Sequence, residues 1–229
     1  MRHLIILVIL ILTSTSIQAQ QDRISFDLKK GEILDILLVI RAPDKEDSYT
    51  RYRQTAFPVA FEYSFELMSV LSSSELLLGT LSPKTFILGK WDNITKRETF
   101  LEDIVGRVPD FHQQRREIFT YFSLTYYEMP MDLTITFDES KYNVATALWS
   151  KDEEAYTDFM EKWTKDIAEA GGKVIVKLEG GSSPTGYYYN PDTFYIVEWD
   201  SETQFQAFAQ ENPMSKYEEL KNIHQFSIE

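Results

Sequence analysis

The side chains with acid–base potential in this sequence are few, and most sit on strand-like segments. Two decapeptides share a frame, Pro83-Lys84-Thr85-Phe86-Ile87-Leu88-Gly89-Lys90-Trp91-Asp92 and Pro191-Asp192-Thr193-Phe194-Tyr195-Ile196-Val197-Glu198-Trp199-Asp200. They agree at Pro, Thr, Phe, Trp and Asp at one spacing of 108 residues (191 − 83 and 199 − 91). Strand side chains alternate between faces, so Phe194, Ile196 and Glu198 share a face, as do Phe86, Leu88 and Lys90. Glu198 and Lys90 are then equivalent positions of opposite charge. Lys177 shares a face with Ile175. Gln225 and Ser227, with their counterparts Tyr121 and Ser123, share a face on the two closing strands. A cavity lined this way would be apolar with a few polar groups, as ligand sites usually are. In it, Lys177, Glu198 or His224 could hold and deprotonate an activated substrate, with Lys90, Tyr121, Tyr187 and Gln225 contacting the ligand. Sequence does not set the register between strands, and the opposing reading, which we favour, places these groups at strand ends in water, where isolated charges commonly lie.

Other clusters have plainer explanations. Asp152-Glu153-Glu154 opens a predicted helix, where carboxylates favour the positive end of the dipole. Asp44, Glu46 and Asp47 occupy the matching place upstream. His112 and His224 are isolated, without a carboxylate or second His at ligand spacing, so no metal site is expected. One axial His would suffice for haem, but nothing near either residue favours it, and no cofactor is expected. The loop from Gly180 to Gly186 lacks the Lys-Ser/Thr of a phosphate loop. It leads into Tyr187-Tyr188-Tyr189, which could lid an aromatic or sugar ligand or simply be β-prone hairpin residues.

The chain has 229 residues, 43% apolar and 14% aromatic, enough for a packed core. Its net charge of −13 argues against nucleic acid, which needs a basic footprint, and against docking on anionic lipid. There is no cysteine, which excludes disulfides, thiolate catalysis and iron–sulfur clusters. Arg2 and His3, the apolar run Leu4 to Leu12, and Ala19 have the anatomy of a signal peptide covering residues 1–19. The run is shorter than the ~20 apolar residues of a spanning helix. The protein is therefore expected to be exported, periplasmic or secreted, with no stable membrane insertion after cleavage.

The positioning elements follow from pattern. The first unit, residues 22–128, reads as a short leading strand at Ile24–Asp27 and a strand at Ile33–Ile40. A helix from Asp47 follows, kinked or ended at Pro58. Next come strands at Leu67–Leu71 and Thr85–Trp91, with the serines 72–74 as punctuation. A helix follows a capping box at Thr95/Glu98, and a strand closes at Tyr121–Tyr127. The second unit, residues 131–229, repeats this order. Its helix follows a capping box at Ser150/Glu153 and carries Tyr156, Phe159, Met160, Trp163 and Ile167 as one stripe. Gly171-Gly172 ends that helix. A further helix from Ser201 is interrupted near Pro213 and resumes to Leu220, and the last strand begins at Gln225. Each unit is β-α-β-β-α-β, the ferredoxin-like order. A sheet with helices on one face leaves its other face bare, so an α+β pair of units packed sheet against sheet is expected, as a monomeric pseudodimer or weak homo-oligomer.

Residues 142–228 resemble the bacterial family of unknown function numbered 1330, in the dimeric α/β-barrel superfamily. The resemblance rests on Tyr156, Gly171-Gly172-Lys173-Val174-Ile175-Val176-Lys177, Ile196-Val197-Glu198-Trp199, and Asn212-Pro213 leading to Tyr217-Glu218-Glu219-Leu220. The family usually carries Arg near Lys177 and Phe-Pro near Trp199-Asp200, where this chain departs. The resemblance implies an intrachain dimeric α/β barrel but no particular chemistry. We rank a module binding a small apolar or aromatic molecule first, a cofactor-free monooxygenase or isomerase second and a protein-assembly module third. Mass spectrometry of the protein from its own cells should find Gln20 at the mature N-terminus; retained Met1 or Arg2 would refute the leader.

Overall fold

The computed structural model describes residues 23–184 and 186–229, and the expected leader lies outside the described residues. The first half contains β1 (Arg23–Leu28), β2 (Ile33–Arg41), α1 (Glu46–Glu62), β3 (Glu66–Leu78), β4 (Thr85–Trp91), α2 (Ile94–Arg107), α3 (Phe111–Ile118) and β5 (Phe119–Glu128). The second contains β6 (Leu133–Asp138), β7 (Tyr142–Ser150), α4 (Glu153–Glu169), β8 (Lys173–Glu179), β9 (Thr193–Trp199), α5 (Glu202–Glu211), a 3-10 turn (Met214–Lys216) and β10 (Leu220–Ile228).

Several boundaries differ from the sequence expectation. Pro58 lies inside α1; its missing donor costs one backbone bond, while Tyr52, Ala56, Val59 and Ala60 keep the helix face buried. The expected capping boxes give way to Asn93 and Asp152, which cap α2 and α4 by accepting from the amides of Lys96 and Ala155. Ser150 remains in β7, its amide and hydroxyl both donating to the Asp192 carboxylate. Ser72–Ser74 do not end a strand. They mark where β3 leaves β4 for β10, and Ser74 Oγ lies 2.6 Å from Ser227 Oγ. After Pro213 only the 3-10 turn forms, and β10 begins at Leu220, where pairing with β7 takes over.

The main sheet has eight strands in the order β5-β2-β4-β3-β10-β7-β9-β8. The two halves are thus joined edge to edge through β3 and β10 rather than forming two separate stacked sheets. At the far ends, Tyr126 and Ser182 exchange backbone hydrogen bonds of 2.8 and 3.0 Å, which brings β5 against the loop after β8 and closes the sheet on itself. Gly181 permits this closure, because a Cβ there would stand 2.6 Å from the Tyr127 ring. The inner faces of all four-stranded segments meet in one core. Phe86 and Phe194 stack there at 6.0 Å and 8°. The β1–β6 ribbon adds Phe26, Leu28, Ile135 and Phe137 to the same core.

Helices cover the outer face in two separate layers, around Trp91, Phe100 and Phe111 in the first half and Trp163, Trp199 and Phe208 in the second. The ladders define which positions correspond. Trp91 faces Ile33 and Trp199 faces Tyr142; Leu37 faces Leu124 and Thr146 faces Gln225. Gln225 therefore corresponds to Leu124 and not, as sequence spacing suggested, to Tyr121. Both tryptophans are buried, and Trp91→Ala or Trp199→Ala should each cost about 3–5 kcal/mol, read as the shift in the denaturant midpoint.

Candidate ligand cleft

The two helix layers are not equally filled. In the first half a cleft of about 520 Å³ opens between the outer face of the sheet and the helices α2 and α3. Asp35, Trp91 and Leu124 come from strands, Arg97, Phe100, His112, Arg115 and Arg116 from helices, and Pro184, Gly186 and Tyr187 from the loop across the top. A narrower apolar lobe of about 90 Å³ continues under α1 and shares Asp35, Trp91, Phe100 and Arg115 with the larger space.

One wall holds a buried ion pair. Arg97 Nε donates to Asp35 Oδ1 at 2.8 Å, and Trp91 Nε1 donates to Asp35 Oδ2 at 2.8 Å. The Arg97 and Asp35 side chains are 2% and 5% exposed, and the guanidinium lies 3.8 Å from the centre of the Tyr126 ring. Arg97 also reaches Glu98 at 2.8 Å. The corresponding residues in the second half are Val144 and Phe205, by the ladders that align Asp35 with Val144 and the caps that align Asn93 with Ser201. There Trp199 Nε1 is buried without a hydrogen-bond partner, because no carboxylate faces it.

The opposite wall presents Arg115. Its Nε donates to Tyr52 Oη at 3.0 Å and its Nη1 to Tyr187 Oη at 3.1 Å. The rings of Phe111 and Phe122 flank it at 4.1 and 4.7 Å. Among the described residues it makes no ion pair, although Arg is permanently charged. A guanidinium fixed by hydroxyls and rings, with an edge left for a ligand, suits a carboxylate or other planar anion. His112 and Arg116 stand beside it at the mouth. Burial, with the neighbouring Arg115 and Arg116, pushes the His112 imidazole below its usual range, so it is largely neutral near pH 7.

No family model and no curated protein matches the chain. Solved structures do. An anthrone oxidase-like protein superposes at TM-score 0.54 with 14% identity, over 89% of this chain and 94% of its own. A chlorite dismutase mutant from Candidatus Nitrospira defluvii gives 0.48 with 10% identity, over 88% and 93%. The fold is a dimeric α/β barrel. At these identities the likeness describes the fold, and the family numbered 1330 gains no support from it.

Within the barrel, the side chains singled out from sequence are dispersed. Tyr187 lies on the cleft, bonded to Arg115 and 5.1 Å from the Phe122 ring. Lys177 is on the outer surface, 2.8 Å from Glu179. Glu198 and Lys90 end their inward-facing rows, near Lys173 (3.6 Å) and between Glu32 and Glu66 (3.7 and 3.4 Å) respectively. Gln225 is buried in the second half and donates to Thr146 Oγ1 at 2.9 Å. Tyr121 and His224 border a separate open hollow of about 740 Å³. His224 sits mid-strand with both ring nitrogens engaged, Nε2 at 2.8 Å from the Leu81 carbonyl and Nδ1 at 2.6 Å from Tyr189 Oη. The carbonyl can only accept, so Nε2 carries the proton and Nδ1 accepts from the tyrosine. Both nitrogens are thus engaged within the protein. Asp35, Arg97, His112, Arg115 and Arg116 were not singled out from sequence.

The ion pair generates a specific expectation. Removing one member of a buried pair strands the other, at roughly 3–5 kcal/mol. Asp35→Val alone should lose about that much, and Asp35→Val/Arg97→Phe, which installs the second-half residues, should recover most of it. Chemical denaturation of the four members of this double-mutant cycle measures the coupling.

Proposed function

We propose that this chain is a small-molecule-binding module of dimeric α/β-barrel type, and that its ligand is an apolar or aromatic molecule carrying one anionic group. The observation that carries this reading is Arg115, a guanidinium clamped by two tyrosines and two phenylalanine rings on the wall of a 520 Å³ cleft, without a carboxylate partner among the described residues. A protein of net charge −13 that gathers Arg115 and Arg116 at one mouth has made a local exception to its acidic surface. The rest of the reading is that residues 1–19 direct export and are removed, and that the two halves arose by duplication, the first keeping the larger cleft.

A second reading is favoured by His112. A neutral imidazole beside two arginines could take a phenolic proton while Arg115 pairs the resulting phenolate, the opening step of cofactor-free oxygenation or isomerisation.

Calorimetric titration with 2-naphthoate and with its neutral carboxamide tests the binding reading. The carboxylate should bind at least tenfold more tightly, since a charge-assisted hydrogen bond is worth roughly 1.5–3 kcal/mol. Arg115→Gln should abolish the difference in a variant that still folds, checked by its circular dichroism. Equal binding of acid and amide, or an unaffected Arg115→Gln variant, would remove the anion site.

A further inference from the structure

We infer that the ligand of this cleft is elongated, a straight-chain carboxylate with its head on Arg115 and its tail in the lobe beneath α1. The inference rests on the anion-site reading above and adds the shape and chemistry of the rest of the molecule.

The lobe has a continuous apolar floor. Leu124 faces Leu37, Leu37 faces Ile87, and Ile87 faces Val70, so one cross-strand row spans β5, β2, β4 and β3. All four residues line the lobe, and Arg115 stands at the same end as Leu124. Three strand spacings amount to about 14 Å, the reach of roughly ten or eleven chain carbons at bond lengths near 1.5 Å. At the far end Leu67 and Val70 are 41% and 56% exposed, so the tail lobe opens to solvent and does not limit entry to one length.

In the second half the counterpart of this lobe, between Trp163, Val174, Lys177 and Tyr195, shrinks to about 10 Å³. Its corresponding row is Gln225, Thr146, Tyr195 and Lys177, with Gln, Thr and Lys at three of the four positions and an internal hydrogen bond between Gln225 and Thr146. The roof differs as sharply. α1 and α4 are both 17 residues long, and the position of Ala56 in α1 is that of Trp163 in α4 (56 − 46 and 163 − 153). Trp163 fills its layer and donates to Tyr195 Oη. Ala56 is buried yet leaves the lobe open above Leu37 and Ile87. A small residue on the roof, an apolar row on the floor and a lone guanidinium at one end are together complementary to a monoanionic amphiphile and to little else.

The experiment is calorimetric titration of the full chain with straight-chain carboxylates from butanoate to tetradecanoate, with benzoate as a compact anion. Affinity should rise about fourfold per methylene, the gain expected for a buried CH₂, and level off near decanoate to dodecanoate. Ala56→Trp, and the milder Ala56→Leu, should erase the chain-length dependence and leave butanoate unaffected. Val70→Glu, at an exposed position, should weaken the long chains alone by tenfold or more and keeps the test valid if the roof variants misfold. Arg115-dependent binding of benzoate and butanoate with no gain from length would overturn the inference and leave the anion site standing. Loss of binding for every anion would overturn both. A concentration-dependent dimer that Val70→Glu dissociates, with no chain-length effect, would assign the exposed apolar mouth to a second copy instead and also overturn the inference.

Discussion

A four-stranded antiparallel sheet covered by helices on one side has a second side that must be kept from water. In this chain that constraint is met internally. The inner faces of both halves, Leu34, Ile36, Leu38, Phe86 and Leu88 from one and Ala145, Ala147, Phe194, Ile196 and Phe226 from the other, form a single core. Fully burying each large apolar side chain contributes about 1.5–3 kcal/mol, so neither half would hold its sheet without the other. The β3–β10 ladder and the Tyr126–Ser182 bridge fix the relative placement of the halves by backbone hydrogen bonds, and the β1–β6 ribbon covers part of what remains.

With stability concentrated inside the barrel, the outer faces are free to differ. In the second half Trp163, Tyr195, Phe205 and Phe208 occupy much of the layer between sheet and helices and leave a smaller space of about 190 Å³ beside Met214 and Gln225. In the first the layer contains an ion pair, an arginine without an ion-pair partner among the described residues, and a cleft. Replacing a buried ion pair by fitted apolar residues is often neutral or stabilising, and the Val144/Phe205 arrangement shows that this fold accommodates the apolar solution at the same two positions. The presence of Asp35 and Arg97 is therefore poorly explained by stability. Their place on the cleft wall explains it better: the pair holds Trp91, whose ring lines the cleft, by its indole N–H, and the guanidinium is itself packed against the Tyr126 ring.

The element order was legible because it depends on local patterns that tertiary contacts did not override. The twin decapeptides, the Tyr156–Ile167 stripe and the Gly171 stop each report on structure within a few residues of themselves. Register is a different quantity. The spacing that matched Phe122-Ser123 to Phe226-Ser227 is displaced by three residues from the ladders, since Leu124, rather than Tyr121, corresponds to Gln225. Period-two alternation correctly grouped Glu198 with Ile196 and Phe194, yet it could not say that this face was the packed interior. Asp35 left a signal that was passed over. A carboxylate in the otherwise apolar run Ile33-Leu34-Asp35-Ile36-Leu37-Leu38-Val39-Ile40 is costly to bury without a partner, and that cost alone pointed to a cation nearby. Arg115 left none, because Gln113-Gln114-Arg115-Arg116-Glu117 reads as an ordinary solvated helix face.

Net charge and local field also act on different scales. At 0.1 M ionic strength exposed charges are screened beyond about 10 Å, so the acidic surface slows the approach of an anion more than it weakens one already bound. Inside the cleft the groups that matter are those within a few ångströms. Asp35 is neutralised by Arg97, and Asp110, which begins α3, is engaged by Arg51 and Gln114. Both carboxylates are thus already paired, whereas among the described residues the charge on Arg115 is met by phenol dipoles and ring faces. A half-desolvated guanidinium in that setting has more to gain from a ligand carboxylate than a surface arginine would, because the hydration it would surrender has largely been lost on folding. The same desolvation makes an apolar extension on the ligand favourable, since it displaces water from a floor that offers that water no hydrogen-bond partner.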